Sequence, residues 1–190
     1  EFIRSLGFEK LNSLEGYLFP ETYFLSEDQS EEEIIRMMIN EFNNIVQQIN
    51  IDNKFNFSIH DILTFASIVQ GEAKLKDEMK IISSVFHNRI NRNMYLDANA
   101  TIQYIIPGKN RRLMNRDLEV NSPYNTYKYK GLPPGPINNP GLLAIKATLD
   151  PEQTNYIYFV KDAKGDGSHI FSTNIRDHEK AKQKYLRSLK

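Results

Sequence analysis

The chain has 190 residues, 40% of them hydrophobic and 25% charged, which is typical of a soluble globular protein with one domain or one domain and a small appendage. Its 24 basic and 24 acidic side chains cancel, so no excess of positive charge indicates a nucleic-acid partner. It has no cysteine, which excludes disulfides, thiol nucleophiles and zinc–thiolate sites.

The N-terminal part of the chain predicts two helices. A short helix is expected first, followed by an irregular stretch rich in aromatic residues. Ser30 with Glu33 three residues on forms a capping-box pattern. Apolar residues then recur at helical spacing, which predicts a helix from about residue 30 to residue 49. We expect the segment 1–50 to be a helical segment that packs on a larger domain spanning residues 51–190.

Three more helices are predicted in the middle of the chain. Ser58 and Asp61 repeat the capping-box pattern, and the helix that they start is apolar on most sides, so we expect it to be buried. Asp77 is expected to cap the next helix. A further short helix is predicted within "ATIQYII".

The last third of the chain predicts a long loop, a hairpin and two helices. Residues 107–141 have mostly loop chemistry, and their aromatic and proline content favours an ordered loop over a disordered one. "GLLAIKATL" predicts a helix, "NYIYFV" and "SHIFS" predict the two strands of a hairpin, and "DHEKAKQKYLRSL" predicts a final amphipathic helix. These elements together predict an α+β fold that is rich in helices and has a small antiparallel β-sheet or hairpin.

The stretch "SIVQGEAK" interrupts the predicted buried helix with two polar residues, Gln70 and Glu72. Because each helical residue turns by about 100°, residues two apart point in nearly opposite directions, so only one of them can face a given substrate. A carboxyl group at the end of an apolar helix is partly desolvated, which raises its pKa and suits a proton donor. The alternative is that Glu72 is a solvated residue in the last turn of the helix.

The loop "SPYNTYKYKGLPPGP" is the second candidate feature. Tyrosine rings and amide side chains suit the recognition of a sugar or a peptide, although an ordered surface loop held by prolines is an equal alternative. A lone strand histidine such as His169 is more typical of a structural hydrogen bond than of catalysis. The sequence has no metal-ligand spacing, no GxSxG motif and no phosphate-binding glycine motif.

A series of motifs along nearly the whole chain resembles the YceG-like family of endolytic murein transglycosylases. They are "LEGYLFPETY" (14–23), "ASIVQGEA" (66–73), "VFHNRI" (85–90), "LDANATIQY" (96–104), "DLEVNSPYNTYKYKGLPPGPINNPG" (117–141), "YIYFV" (156–160) and "GSHIFS" (167–172). The resemblance implies a lytic enzyme that cleaves peptidoglycan strands internally, between N-acetylmuramic acid and N-acetylglucosamine. It implies a 1,6-anhydromuramyl product, formed without water.

The resemblance also implies a location and partners. Members of the family are similar to single-pass membrane proteins whose catalytic part lies outside the cytoplasmic membrane, after a membrane anchor and a small LysM-like module. This chain starts at "EFIRSLGFEK" without either, so we expect a piece of such a protein, held at the cell membrane through an anchor that this chain lacks. Peptidoglycan strands are the expected partner, cell-wall synthesis proteins are candidate partners, and no metal or organic cofactor is implied.

The chemistry of this family requires only one carboxyl group, which acts first as acid and then as base. Many members carry Glu-x-Glu where this chain has Gln70, Gly71 and Glu72. Either the first position varies naturally and Glu72 is the catalyst, or Gln70 replaces a catalytic glutamate and the molecule is inactive with an intact fold. We favour Glu72.

The resemblance further indicates residues that would contact or orient the substrate. They come from the long loop, from the N-terminal segment and from the predicted hairpin: Ser122, Tyr124, Asn125, Thr126, Glu15, Glu21, His169 and Phe171. Packing behind the residues that contact substrate is an equal alternative for the two glutamates. Two other functions stay open, namely a non-catalytic peptidoglycan-binding module and a scaffold for cell-wall synthesis.

Overall fold

The computed structural model describes residues 13–49, 55–106 and 113–189. Within these ranges the chain forms six α-helices, α1 to α6, and two β-strands. The helices are Glu31–Gln48, Ile59–Glu72, Met79–Asn91, Asn99–Ile105, Leu142–Leu149 and Ile175–Ser188, and the strands are β1, Tyr158–Lys161, and β2, His169–Ser172. The α+β prediction is confirmed. The helix predicted at the very start of the chain lies outside the described residues.

Both predicted capping boxes are present. The Ser30 hydroxyl accepts a hydrogen bond from the Glu33 N–H at 3.3 Å, and the Glu33 carboxylate accepts one from the Ser30 N–H at 2.9 Å. Ser58 and Asp61 make the same reciprocal pair at the start of α2. These side chains satisfy N–H groups that a helix end leaves without partners, which fixes where each helix begins.

The prediction for the start of α3 is wrong in its detail. Asp77 lies inside a 3₁₀ turn, Lys76–Glu78, and α3 begins at Met79 without a side-chain cap. The Glu78 N–H donates to the Leu75 carbonyl at 3.2 Å, so the chain enters α3 through this tight turn. Asp77 is therefore one residue too early to cap the helix.

Helix α2 is the centre of the core. Every residue from Ile62 to Val69 is buried, and α2 packs against α3, α4 and α5. The hairpin pairs β1 and β2 antiparallel, with Lys161 opposite His169, and α6 packs against both strands. None of the described helices combines the length and apolarity needed to cross a membrane.

The described part of the long loop, residues 113–141, is ordered, as its composition predicts, and it docks on α2. The Ser67 hydroxyl accepts a hydrogen bond from the Ile137 N–H at 3.0 Å, and the Asn138 amide donates to the Ser67 carbonyl at 2.8 Å. On its other side the loop contacts the N-terminal segment, where the Gly16 N–H donates to Asn139 at 2.7 Å. The loop is thus held between α2 and the N-terminal segment.

Tyr17 connects α1 to α2. The Tyr17 ring lies 5.4 Å from the Phe42 ring of α1, and its hydroxyl is hydrogen-bonded to the His60 ring of α2 at 2.9 Å. The boundary between segments 1–50 and 51–190 stays a prediction.

Candidate active site

Glu72 is the last residue of α2, at the point where the buried helix reaches the surface. Its side chain is half-buried, and its Oε1 accepts a hydrogen bond from the Ala100 N–H in the first turn of α4 at 2.7 Å. Gly71 allows this close approach, because a Cβ at position 71 would lie 2.7 Å from the Ala100 Cβ. The small residue before Glu72 therefore brings α4 within reach of the carboxylate.

The surroundings of Glu72 act on its proton affinity in two directions. Burial raises the pKa of the Glu72 carboxyl, and it is the largest of the effects. The hydrogen bond from Ala100 and the charges of His169 and Lys161 lower that pKa. Within the part of the chain that the structure describes, no carboxylate adds its charge to Glu72.

The phenol of Tyr127 also belongs to the surroundings of Glu72. Burial raises its pKa, and the charge of Glu72 raises it further, so the phenol stays protonated. Its hydroxyl donates a hydrogen bond to the Asn99 side chain at 2.7 Å. Glu72 thus lies among α4, the long loop and the hairpin.

Gln70 faces a different part of the molecule, as the helical spacing predicts. Its Oε1 accepts a long hydrogen bond, 3.4 Å, from the N–H of Gly141, which is the N-cap of α5. Pro20 of the N-terminal segment also lies against Gly141. The amide of Gln70 therefore bridges α2 to α5, while Glu72 faces α4.

His169 is held by a residue that the sequence did not single out. The Glu78 carboxylate accepts a hydrogen bond from the His169 N–H at 2.9 Å and pairs with its Nδ1 at 2.7 Å. The predicted strand position of His169 is confirmed. In sequence Glu78 is one charge in "KLKDEMK", which is typical of a solvated turn, and its partner is 91 positions away.

Three of the loop residues predicted to contact substrate make hydrogen bonds within the loop or to the start of α4. Asn125 is fully buried; its amide donates to the carbonyls of Leu118 and Val120, both at 2.8 Å, and its Oδ1 accepts from the Tyr127 N–H. Thr126 is buried and accepts a hydrogen bond from the Ala98 N–H at 3.0 Å.

Ser122 completes this internal arrangement. Its hydroxyl and carbonyl accept from the N–H groups of Tyr124 and Asn125, which closes a turn. In this structure the contacts of Asn125, Thr126 and Ser122 are therefore with the protein's own backbone and side chains.

The remaining predicted site residues are distributed over three places. Tyr124 is half-buried, its ring lies 5.0 Å from the exposed ring of Tyr104, and the charge of Glu15 contributes to its raised pKa, for which burial is the main cause. Glu21 is exposed and lines a groove against α1. Phe171 packs in the hairpin, 5.6 Å from the Tyr156 ring and 6.3 Å from that of His169.

The described residues offer no metal centre, since no three of their His, Asp and Glu side chains come together. The described side chains that act on one another at this site are a carboxyl group, an imidazole, a phenol and an amine, from Glu72, His169, Tyr127 and Lys161. Of these, the carboxyl of Glu72 combines partial burial with a position at the end of a helix.

Comparison with known proteins gives concordant matches. The model of the YceG-like family matches residues 3–184. An endolytic murein transglycosylase of Bacillus subtilis is 44% identical over 177 residues, which is 92% of this chain and 49% of that protein. One of Streptococcus pneumoniae is 34% identical over 181 residues, which is 92% of this chain and 33% of that protein. The chain thus spans half, or less, of the length of these relatives.

A solved structure shares the fold. The crystal structure of a yceG-like protein from Listeria monocytogenes superposes with a TM-score of 0.81 at 37% sequence identity. The match covers 94% of this chain and 61% of the other.

Proposed function

The chain belongs to the YceG-like family, and we propose that it is a lytic transglycosylase that cleaves peptidoglycan strands with Glu72 as its single acid and base. The relatives from Bacillus subtilis and Streptococcus pneumoniae bear the name endolytic murein transglycosylase, which supports the substrate and the reaction class. The bond proposed to break lies between N-acetylmuramic acid and N-acetylglucosamine.

The observation that carries the proposal is the setting of the Glu72 carboxyl. Burial raises its pKa, which keeps a proton available for the glycosidic oxygen, while the Ala100 N–H holds Oε1 in place. The charges that bear on Glu72 come from His169 and Lys161, and both favour the carboxylate that forms once the proton has left.

One carboxyl group is enough for a reaction that closes a ring within the sugar. Glu72 gives its proton to the leaving oxygen, and the bond from that oxygen to the anomeric carbon of the muramic acid breaks. The 6-hydroxyl of the same sugar then attacks the anomeric carbon, and the Glu72 carboxylate takes its proton. The product carries a 1,6-anhydro bond, and Glu72 ends the turnover protonated, as it began.

The main alternative chemistry is hydrolysis, which normally uses two carboxylates on either side of the bond. The relatives' name, endolytic murein transglycosylase, favours the single-carboxylate reaction, since a transglycosylase transfers the sugar and does not add water. The position of Gln70 supports the same choice, because its side chain is used at Gly141 and faces away from Glu72.

Mass analysis of the products tests this function. Intact glycan strands incubated with the chain are expected to give fragments that end in 1,6-anhydro sugars. Fragments heavier by one water would make the protein a hydrolase. Strands that bind without being cleaved, both by the chain as it stands and by a Gln70→Glu variant, would make it a peptidoglycan-binding module.

The proposed substrate also implies a place in the cell. Peptidoglycan lies outside the cytoplasmic membrane, so we propose that this part of the protein lies there too, tethered through a membrane anchor. Protease added to intact spheroplasts should degrade it. Protection until the membrane is broken would contradict this location.

A further inference from the structure

We propose that Glu78 is a positioning residue for this site, which holds the ring and the proton of His169 in a fixed state beside Glu72. The inference rests on the proposed function, in which Glu72 is the catalytic group. We call the two residues the Glu78–His169 pair.

Glu78 is hydrogen-bonded to His169 through both of its carboxylate oxygens. Oε1 accepts from the main-chain N–H of His169 at 2.9 Å, and Oε2 pairs with Nδ1 of its ring at 2.7 Å. The His169 side chain is 3% exposed and that of Glu78 is 13% exposed, so water competes little for these bonds. One side chain thus fixes the backbone and the ring of the same residue.

This geometry determines where the proton of the ring lies. An ionised carboxylate can only accept hydrogen bonds, so Nδ1 must be the protonated nitrogen when Glu78 is charged. The Phe159 ring stands perpendicular to the imidazole at 5.4 Å, which restrains the ring from turning over. The structure gives Nε2 no hydrogen-bond partner among the described residues.

The pair sits on the connection that leads away from Glu72. This connection runs from the end of α2 through the 3₁₀ turn Lys76–Glu78. It contacts the hairpin at two points, through Glu78 at His169 and through the Lys74 stem, which lies against Gly167. A Cβ at Gly167, where φ is +91°, would overlap that stem. These two contacts hold the start of β2 close to Glu72.

The charged and titratable groups that interact with Glu72 come from three elements. Lys161 from β1 and His169 from β2 act on Glu72, and Glu72 in turn acts on the phenol of Tyr127 from the long loop. Of these groups, His169 is the one that a carboxylate of low exposure holds. Replacing Glu78 should therefore alter the charge that Glu72 experiences, and not only the packing of the hairpin.

The matched variant is Glu78→Gln, because the amide keeps the shape of the carboxylate. Its oxygen can still accept from the His169 N–H, but its NH₂ group can only donate to Nδ1, which moves the proton of the neutral ring to Nε2. We expect kcat to fall on the order of 10- to 100-fold with little change in KM, and the pH profile to shift. Glu78→Asp, which keeps the charge, should restore part of the rate. Glu27→Gln, at an exposed position, serves as control and should change neither kcat nor the pH profile.

Nitrogen NMR of the histidine rings gives a readout that does not depend on activity. In the unaltered chain His169 should carry its proton on Nδ1, and in Glu78→Gln the neutral ring should carry it on Nε2. The missing signal in His169→Gln assigns the resonance.

The outcomes separate this inference from the proposed function. A neutral His169 with its proton on Nε2 in the unaltered chain would overturn the positioning role. A Glu78→Gln variant that loses stability but keeps kcat and the pH profile would also overturn it. That result would mean that Glu78 only stabilises the contact between the 3₁₀ turn and the hairpin. An unaltered chain that cleaves no glycan would contradict the proposed function, while the NMR result still decides the role of Glu78.

Discussion

Glu72 and Gln70 are two residues apart on α2, yet they accept hydrogen bonds at the N-terminal ends of two different helices. Glu72 accepts from the Ala100 N–H of α4 at 2.7 Å, and Gln70 accepts from the Gly141 N–H of α5 at 3.4 Å. The two polar residues that are close in the sequence therefore contact different helices. In the proposed function only Glu72, which faces α4, transfers protons, and Gln70 helps to hold α5.

Replacing Glu72 by glutamine should stabilise the protein at neutral pH. Burial raises the pKa of the folded carboxyl above its unfolded value of about 4.3. Folding therefore favours the protonated form, and stability falls as pH rises from the unfolded pKa through the folded one. A neutral amide avoids this loss and can still accept from Ala100. Each unit of pKa difference is worth about 1.4 kcal/mol of unfolding free energy.

Urea unfolding of both forms at two pH values measures this effect. The Glu72→Gln variant should match the unaltered chain below pH 4, within the roughly 0.5 kcal/mol that is usual for a neutral change, and exceed it at pH 7.5. The exposed Glu27→Gln should show no such pH dependence. Equal losses of stability at both pH values would mean that the Glu72 carboxylate is not penalised by burial.

Removing the charge of Lys161 should extend activity toward higher pH. The positive charge of Lys161 lowers the pKa of Glu72, so Lys161→Gln raises it, and Glu72 keeps its proton to a higher pH. The high-pH limb of kcat/KM should move upward. Because Lys161 is exposed, 1 M salt, with a screening length of about 3 Å, should largely remove the difference between the two forms. A downward shift would contradict the assignment of Glu72 as the proton donor.

Gly71 should not tolerate even alanine. The added Cβ would lie 2.7 Å from the Ala100 Cβ, so α2 and α4 would have to separate and the hydrogen bond to Glu72 would lengthen. We expect a loss of about 1–3 kcal/mol in unfolding free energy, together with a lower kcat. Gly141→Ala is the matched control, because its nearest neighbour would be 3.8 Å away. If both alanine variants were as stable and as active as the unaltered chain, α4 would be able to move away from position 71 at little cost.

Asn125→Ala should unfold more easily and should lose activity through the loop. The change leaves the carbonyls of Leu118 and Val120 and the N–H of Tyr127 without their partner, at about 1–3 kcal/mol for each group that stays buried. Thermal unfolding measures the loss, and Asn121→Ala, at an exposed position, is the control. A variant of unchanged stability with a raised KM would instead make Asn125 a direct substrate contact.

The parts of the fold that follow from local sequence could be predicted. The starts of α1 and α2 depend on a serine and an acidic residue three positions apart, and the hairpin depends on two alternating segments around a turn. The start of α3 was misplaced because its 3₁₀ turn lacks a side-chain cap.

The site depends on contacts that the sequence does not reveal. Glu72 stands out as a carboxyl group at the end of an apolar helix, but its partner Ala100 is 28 positions away, and Glu78 is 91 positions from His169. Asn125 has the amide side chain expected of a sugar-binding residue. It is fully buried, however, and its hydrogen bonds are with the backbone of its own loop. Composition cannot separate these two uses of an amide, because both need the same donors and acceptor.

The most direct test of a single catalytic carboxyl group is the rate of glycan cleavage by Glu72→Gln, measured beside Gln70→Glu with products identified by mass. We predict that Glu72→Gln keeps its fold and loses cleavage by a factor of about 100 or more. We predict that Gln70→Glu still yields anhydro ends at a rate close to that of the unaltered chain. Full activity in Glu72→Gln, or activity that appears only once position 70 is a glutamate, would contradict the account.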